Sequence, residues 1–533
     1  MKWLNHLVSL GLLISASSCK TVQSDAGLSA SASLSDFKNY SGSVVCRPGT
    51  VAIPNSVEEI QSFVRQAVDN QRNLRVVSLP APRSYSPVIC PEEGGAILNL
   101  QNFNQLLSLD KTQKTAIVQP GLLISDLNEL LNKEGFTFPV MPDYNGVSLA
   151  GAMGTGAHHS SLRIATAVGD WVEEMKIVDG RGELRTLRGQ DLDTARVHLG
   201  LLGVIYELKI RVLPQYKLRY KFEKIADSRI EQDVERLVRE HDYARAMWFP
   251  SQKTFILDSF DKVDMTTPGE SFNNLWSATP DISFLGDVPV GTLNSSQALQ
   301  CTAEFARVKT FAGPFKVVNS DSKSPVGLAH RMISGTCEPG KCSWDFGIKT
   351  RTVEVGIPLR RLPEWIADIK QLTNTRKACF PVLGLYMRFS LASKSALGQA
   401  SGQDTVVFEI HIPQTSSPSL EPSSDVYDEI VQLTLAKYQG RPHWGKNSQP
   451  YFIGLGPKQF PQWEKFEQLR SEIDPSGIFV NPFWRKITEM QRSSGEPSCA
   501  VKKSCICTRD LDCGKGATCE AGIFFKEARV CRR

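Results

Sequence analysis

A chain of 533 residues is long enough for about two or three domains and a sizeable core. Its hydrophobic content of 41% and charged content of 22% are those of an ordinary globular protein. The 61 basic and 56 acidic residues leave a net charge of only +5, spread along the chain. That makes no case for nucleic acid, which calls for a clustered basic footprint.

Lys2 and His6 precede an apolar run from Leu7 to Ile14, then small residues Ser15 to Ser18 and Cys19. This predicts a signal peptide over residues 1–19, its apolar part too short to span a bilayer. Ala16-Ser17-Ser18-Cys19 is similar to a bacterial lipoprotein box, with Ala16 where that pattern prefers leucine. The expectation is an exported bacterial protein. It is either a periplasmic or outer-membrane lipoprotein, touching the membrane only through a lipid on Cys19, or a secreted one. Residues 20–35, rich in Ser and Ala, read as a flexible tether. With Cys19 lipidated, twelve of the 13 cysteines remain, an even number suited to an oxidising compartment.

Val51-Ala52-Ile53-Pro54 is a short strand, and Ser56 caps a helix from Val57 to Asn70 whose apolar stripe is Ile60, Val64 and Ala67–Val68. Leu74 to Leu79 completes a β-α-β start. Strands follow at Ala96–Leu100 and Thr115–Gly121, then a helix at Ile124–Glu134 closed by Gly135. Trp171 to Val178 is a strand turning at Gly180-Arg181-Gly182 into Glu183–Leu187, and Gly203 to Leu213 is another. From about residue 215 longer, more polar elements alternate with Ser/Pro/Gly loops, as in a second α+β domain. Cys337 and Cys342 bracket Glu338-Pro339-Gly340 and either close a tight loop or pair elsewhere. Six cysteines fall in the last 35 residues without paired C-x-x-C knuckles or a neighbouring histidine. This argues against a metal site and for a small disulfide-stapled module.

Gly146 to Ala157 holds four glycines and three alanines, carries no charge, and runs into His158 and His159. Such a segment lets backbone groups approach a flat, heteroatom-rich ligand closely. It is too Gly-rich for a stable soluble helix.

Four separated segments resemble the vanillyl-alcohol-oxidase-type flavoproteins, particularly their sugar-lactone and alditol oxidase branch. They are Val51–Ala67; Gly146–Ser160; Leu199-Gly200-Leu201-Leu202-Gly203-Val204-Ile205-Tyr206-Glu207; and Arg441-Pro442-His443-Trp444-Gly445-Lys446, followed by Asp474-Pro475-Ser476-Gly477-Ile478-Phe479-Val480-Asn481. They occur in the family's order over residues 40 to 490. The resemblance implies an α+β fold, in which a two-part FAD-binding domain of the PCMH type is interrupted by an α+β cap. The FAD-binding domain covers 36–214, the cap or substrate domain 215–440, a return segment completing the active site 441–495, and the cysteine-rich module 496–533. It implies FAD contacts at Ser148, Gly151, Gly154, Thr155, Gly156 and His158, at Val204 and Ile205 by the adenine, and at Asn481.

Two departures from the family pattern stand out. Where many members carry a glycine-rich loop ending in a flavin-linking histidine, this chain reads Ser78-Leu79-Pro80-Ala81-Pro82-Arg83-Ser84-Tyr85-Ser86-Pro87. Arg83 stands at the histidine's place and cannot form that bond. FAD is therefore expected to be non-covalent, with Arg83 and Ser84 as cofactor contacts, Arg83 through a charge-assisted bond to phosphate. In Leu385-Tyr386-Met387-Arg388-Phe389, similar to the family's E-x-R strand, Tyr386 replaces the substrate-facing glutamate while Arg388 is retained. Losing that carboxylate leaves room for a more apolar substrate.

Hydride loss from a CH–OH carbon puts alkoxide character on the oxygen, which fixed cations such as Arg388 and Lys446 stabilise. His443 or a lysine of lowered pKa is the candidate proton acceptor, and Tyr386 completes the catalytic set. The resemblance thus implies an exported FAD-dependent oxidoreductase acting on a small alcohol, polyol or sugar lactone, with oxygen or a quinone or cytochrome as electron acceptor. A non-catalytic surface-binding protein on a degenerate flavoprotein scaffold is the alternative.

Overall fold

The computed structural model of the chain describes residues 37–39, 42–78, 82–273, 296–310, 317–318, 324–335, 350–376, 379–380, 384–413, 423–453, 456–489 and 496–533. The expected leader and tether, and the Cys337–Cys342 loop, lie outside these residues, as do Leu79, Pro80 and Ala81.

The N-terminal half builds two larger sheets and two short two-stranded ones. Strands β1 (Thr50–Ala52), β2 (Leu74–Val77) and β3 (Ala96–Asn99) pair in parallel in the order β1-β3-β2. They are joined by α1 (Val57–Asp69), whose Ser56 cap accepts the Glu59 N–H at 3.2 Å and whose Ile60, Phe63, Val64 and Ala67 are buried. A second, antiparallel sheet contains β4 (Leu106–Asp110), β5 (Thr115–Val118), β6 (Val172–Val178), β7 (Leu184–Leu187) and β8 (Val204–Arg211), in the order β7-β6-β8-β5-β4. Helix α2 (Ile124–Lys133) ends just before Gly135, whose φ of +79° suits glycine at that turn.

One local expectation is overturned here. The glycine-rich stretch contains a short helix, α3 (Leu149–Gly154). Its Leu149, Ala150, Ala152 and Met153 are buried in the main core of this half. Tertiary burial outweighs the weak intrinsic propensity.

The buried Arg75 on β2 draws the separated motifs together. Its guanidinium donates to the carbonyls of Leu199, Gly200, Val88 and Phe479. Asn73 donates to Ile478 and Val480, so the Asp474–Asn481 stretch docks along β2 although about four hundred residues separate them.

The cap is one eight-stranded antiparallel sheet with three long helices on one face, while the helix Gln297–Thr310 packs Val308 against the other. It contains β9 (Lys217–Ala226), β10 (Tyr243–Phe249), β11 (Thr254–Val263), β12 (Val326–Leu328), β13 (Thr350–Pro358), β14 (Leu385–Ser390), β15 (Thr405–Pro413) and β16 (Arg441–Pro442). Their order is β12-β9-β11-β10-β14-β15-β13-β16. The period-2 alternation of strands sorts the side chains. Ala246, Trp248, Val353, Val355, Met387, Phe389, Phe408 and Ile410 join a core shared with helices α4 (Ile230–Arg239), α5 (Leu362–Arg376) and α6 (Ser424–Lys437). Arg245, Glu354, Tyr386, Arg388 and Glu409 alternate with them onto the other face. They are nearly or fully buried there too.

The chain then adds α7 (Trp463–Ile473) and α8 (Pro482–Thr488), and ends in a hairpin of β17 (Thr518–Ala521) and β18 (Arg529–Arg532). The last six cysteines pair as Cys499–Cys505, Cys507–Cys519 and Cys513–Cys531. Cys46–Cys90 and Cys301–Cys379 staple the two larger parts.

Candidate active site

Three segments meet along the α3 strip. Gly445 has Ser84 Oγ and Thr155 Oγ1 each 3.4 Å from where a side chain would begin. Tyr85 N–H donates to Gly445 O at 2.7 Å, and Ser86 Oγ donates to Trp444 O. The Arg83 loop and Thr155 therefore both pack on the Arg441–Lys446 segment at Gly445. Ser78 and Ser148 share a hydroxyl–hydroxyl bond of 2.8 Å. Gly151 is exposed and Thr155 to Ala157 are partly exposed, so this stretch offers open backbone edged by neutral hydroxyls.

The glycines are there for different reasons. A side chain on Gly154 would strike the His198 ring at 2.5 Å, and Gly156 has φ +79°. His198 also ties the Leu199–Gly203 turn to α3, contacting Ala150 O and accepting from Gly200 N–H. That turn delivers Val204 and Ile205 to the start of β8, where they pair with β6 while β5 takes up pairing only from Leu208. Asn481 holds the start of α8. It caps α8 by accepting Trp484 N–H at 2.8 Å and donates to Val88 O at 2.7 Å. Arg83 stacks 4.6 Å from the Tyr144 ring and donates to its hydroxyl at 3.0 Å.

The strip leads to a buried charge cluster on the cap sheet. Lys446 Nζ donates to Glu354 Oε2 at 2.6 Å and to Glu409 Oε2 at 2.7 Å. Arg388 Nη2 donates to the same two oxygens, at 2.6 Å for Glu409. His158 Nε2 lies 3.0 Å from Glu354 Oε1, so the histidine at the end of the glycine segment reaches the cap sheet. Asp143, from the stretch before α3, pairs with Arg245 at 2.8 Å and lies 3.6 Å from Arg388. Asn447 accepts the Glu354 backbone N–H at 3.0 Å.

The environments set the charges. Burial pushes the Glu354 carboxyl up, but Lys446, Arg388, His443 and His158 hold it well below the usual range. Burial takes His443 down to about 3, and its Nδ1 already accepts Gly445 N–H at 3.0 Å. It is a neutral, weakly basic imidazole. Tyr386 is buried beneath Arg388, 5.5 Å from ring centre to guanidinium, and burial keeps its hydroxyl un-ionised.

Arg388, Lys446, His443 and His158 therefore converge, with Tyr386 alongside. Two carboxylates that no motif singled out, Glu409 directly opposite Tyr386 and Glu354 opposite Glu409, stand in the same cluster. Their signal is the alternation in Val406-Val407-Phe408-Glu409-Ile410-His411-Ile412 and Thr352-Val353-Glu354-Val355. Each is a buried-type strand carrying a charge on one side.

A flavin dinucleotide fits this arrangement. The open backbone of the strip is flanked by the uncharged hydroxyls of Ser84, Ser148 and Thr155. Asn447 is completely buried, and its Nδ2 lacks a partner among the described residues, a donor that a polar ligand would satisfy.

A two-sheet domain with such a strip, roofed by a cap sheet bearing fixed cations, defines an FAD-dependent oxidoreductase. The chain belongs to the D-arabinono-1,4-lactone oxidase family, whose model matches residues 208–487. An FAD-binding domain matches residues 48–188, and an L-gulonolactone oxidase 2-like C-terminal domain matches 496–533. Relatives include probable L-gulonolactone oxidase 6 of Arabidopsis thaliana, 29% identical over 92% of this chain and 87% of that protein. L-gulonolactone oxidase of Mus musculus is 22% identical over 85% of this chain and 98% of its own length. Among solved structures, a solvent-stable cholesterol oxidase superposes with a TM-score of 0.67 at 16% identity, covering 85% of this chain and 97% of that one. The cholesterol oxidase of Brevibacterium sterolicum gives 0.66 at 14% identity, covering 87% and 99%.

Proposed function

We propose that this chain oxidises a CH–OH group of a sugar 1,4-lactone or a related polyhydroxylated ring, with dioxygen as electron acceptor. The observation that carries the reading is the meeting of the α3 strip with the Arg388–Lys446–Glu354–Glu409 cluster. Ser148, Gly151, Thr155 and Gly156, with Ser84 across from them, would hold the FAD, and Val204 and Ile205 would offer backbone to its adenine end. Bound FAD supplies the hydride acceptor. Lys446, the more accessible cation at 23% exposure, donates to the substrate oxygen as negative charge grows there. A fixed donor of this kind is worth about 2.7–4 kcal/mol. Arg388, held by two carboxylates, keeps the cluster rigid. Burial leaves His443 neutral and weakly basic, with Nδ1 already accepting Gly445 N–H, so the hydroxyl proton would pass to water on the solvent side of Lys446 as the carbonyl forms. The names of the relatives support the lactone; the dioxygen acceptor follows from the same names.

The FAD is held without a covalent bond at Arg83, and the protein is exported. Five disulfides among the described residues support an oxidising compartment, and a lipid on Cys19 is the proposed membrane tether.

The test is anaerobic mixing of the purified flavoprotein with L-gulono-1,4-lactone and D-arabinono-1,4-lactone. Bleaching of the flavin band, reversed by air with release of peroxide, is expected. Colourless protein that takes up no FAD, or a flavin band unmoved by any lactone, defeats the reading.

A further inference from the structure

We propose that Glu409 selects the charge of the substrate, admitting a neutral polyhydroxylated ring and rejecting the open-chain acid formed when a lactone hydrolyses. This rests on the lactone-oxidising reading above. In the β14–β15 register Tyr386 lies directly opposite Glu409. The carboxylate expected on β14 is therefore present one strand away, displaced by roughly 4.8 Å. Glu354 in turn faces Glu409 across β13 and β15.

The two carboxylates differ in what they can still do. Glu354 is fully buried, and its oxygens serve His158, Arg388 and Lys446. It is a positioning residue, joining the glycine segment, the cap sheet and the return segment. Glu409 uses Oε2 for Arg388 and Lys446, while His411 lies 3.5 Å from Oε1. Lys446 is 23% exposed and His411 30%, so the side of the cluster nearest solvent runs Lys446, Glu409, His411.

Counting charges gives the selectivity. Arg388 and Lys446 are matched one for one by Glu354 and Glu409. Arg245 is matched by Asp143 at 2.8 Å, and Asp258, 3.6 Å from the same guanidinium, has its carboxyl pushed up to about 7 by burial and so adds little negative charge. An incoming carboxylate finds no unmatched cation and meets Glu409 as a like charge. A hydroxyl, which both donates and accepts, can take a bond from Lys446 and give one to Glu409. Neutralising Glu409 would leave one cation in excess, and that site would welcome an acid.

The experiment uses holoprotein with Glu409→Gln and Glu409→Asp, checked for flavin content and far-ultraviolet circular dichroism. Two probes are used: L-gulono-1,4-lactone for KM and kcat, and L-gulonate, whose binding is read as inhibition and as a shift of the flavin absorbance without turnover. The Gln variant should raise the lactone KM about tenfold or more and tighten L-gulonate binding about fivefold or more, with flavin content unchanged. The Asp variant should raise the lactone KM and still exclude L-gulonate. A folded Gln variant with both constants within about twofold of wild type overturns the proposal. Should the Gln variant fail to hold FAD, an Asp variant with unchanged lactone KM overturns it instead. A wild-type protein inert to every lactone defeats the underlying reading, while the L-gulonate absorbance titration still reads charge selection in the variants.

Discussion

Glu354 Oε2 and Lys446 Nζ lie 2.6 Å apart although 92 residues separate them. The bond fastens the cap sheet to the return segment at a point closed to water on the Glu354 side. Because Glu354 also holds Arg388 and His158, removing it leaves buried cations short of a partner. Breaking a buried ion pair from one side typically costs about 3–5 kcal/mol. Glu354→Ala should therefore unfold well below wild type in a thermal melt followed by tryptophan fluorescence, and an unchanged melting temperature would rule the anchoring role out.

Lys446→Met should separate catalysis from cofactor binding. The substituted side chain keeps the stem's packing but loses the donor. Substrate-driven flavin reduction in stopped flow should fall about a hundredfold to a thousandfold, with FAD content intact. Unaltered reduction would show that Lys446 is structural.

Arg388 and Lys446 are legible in the sequence because each sits inside a local motif. Glu354 and Glu409 belong to no motif, and their partners come from strands and loops far along the chain. The polar-apolar alternation of β13 and β15 announces a charge on a buried face, but pairing is a property of the sheet order, which alternation does not contain. The helix at Leu149–Gly154 escapes propensity for a related reason, since burial of Leu149, Ala150 and Met153 decides it. Asn481 reads as a cofactor contact in its motif, and in the fold its amide oxygen caps α8 while its nitrogen donates to Val88 O. Only the helix start one residue later explains that use.

Arginine at position 83 predicts how the flavin leaves the protein. Its guanidinium rests on Tyr144, with no imidazole at that position to bond carbon. Acid precipitation of the yellow protein should send the flavin into the supernatant. A pellet that stays yellow would reveal a covalent link elsewhere.

The cysteine-rich module is joined to the cap more closely than a tethered appendage. Glu429 on α6 is nearly buried and accepts the backbone N–H groups of Ile523, Phe524 and Phe525 at 3.0, 2.7 and 2.7 Å. Asp425 pairs with Arg532 and Asp428 with Lys503 on the same helix. Helix α6 leads directly into Arg441–Lys446. Glu429→Ala should cost about 1.5–3 kcal/mol, the range for hydrogen bonds to a charged group, and should speed release of the C-terminal fragment in limited proteolysis. Proteolysis at the wild-type rate would mean that the disulfides alone hold the module in place.

Glu304 gives stability a pH dependence with a definite sign. It lies on the helix Gln297–Thr310, fully enclosed, with both oxygens 2.6 Å from Ser251 Oγ. Burial outweighs those bonds and pushes its carboxyl from 4.5 up to about 7. The folded chain therefore keeps a proton that the unfolded chain has lost across this window. The contribution to stability is complete below about 4.5 and is lost as pH rises to about 7. Its size is on the order of 3 kcal/mol. The buried His443, His159 and His198, lowered to about 3, 3 and 4, slope the other way below 6.5. Comparing wild type with Glu304→Gln cancels them. Denaturant melts from pH 4.5 to 8 should show wild type losing ground to the Gln variant as pH rises, and parallel curves would return Glu304 to an ordinary carboxylate.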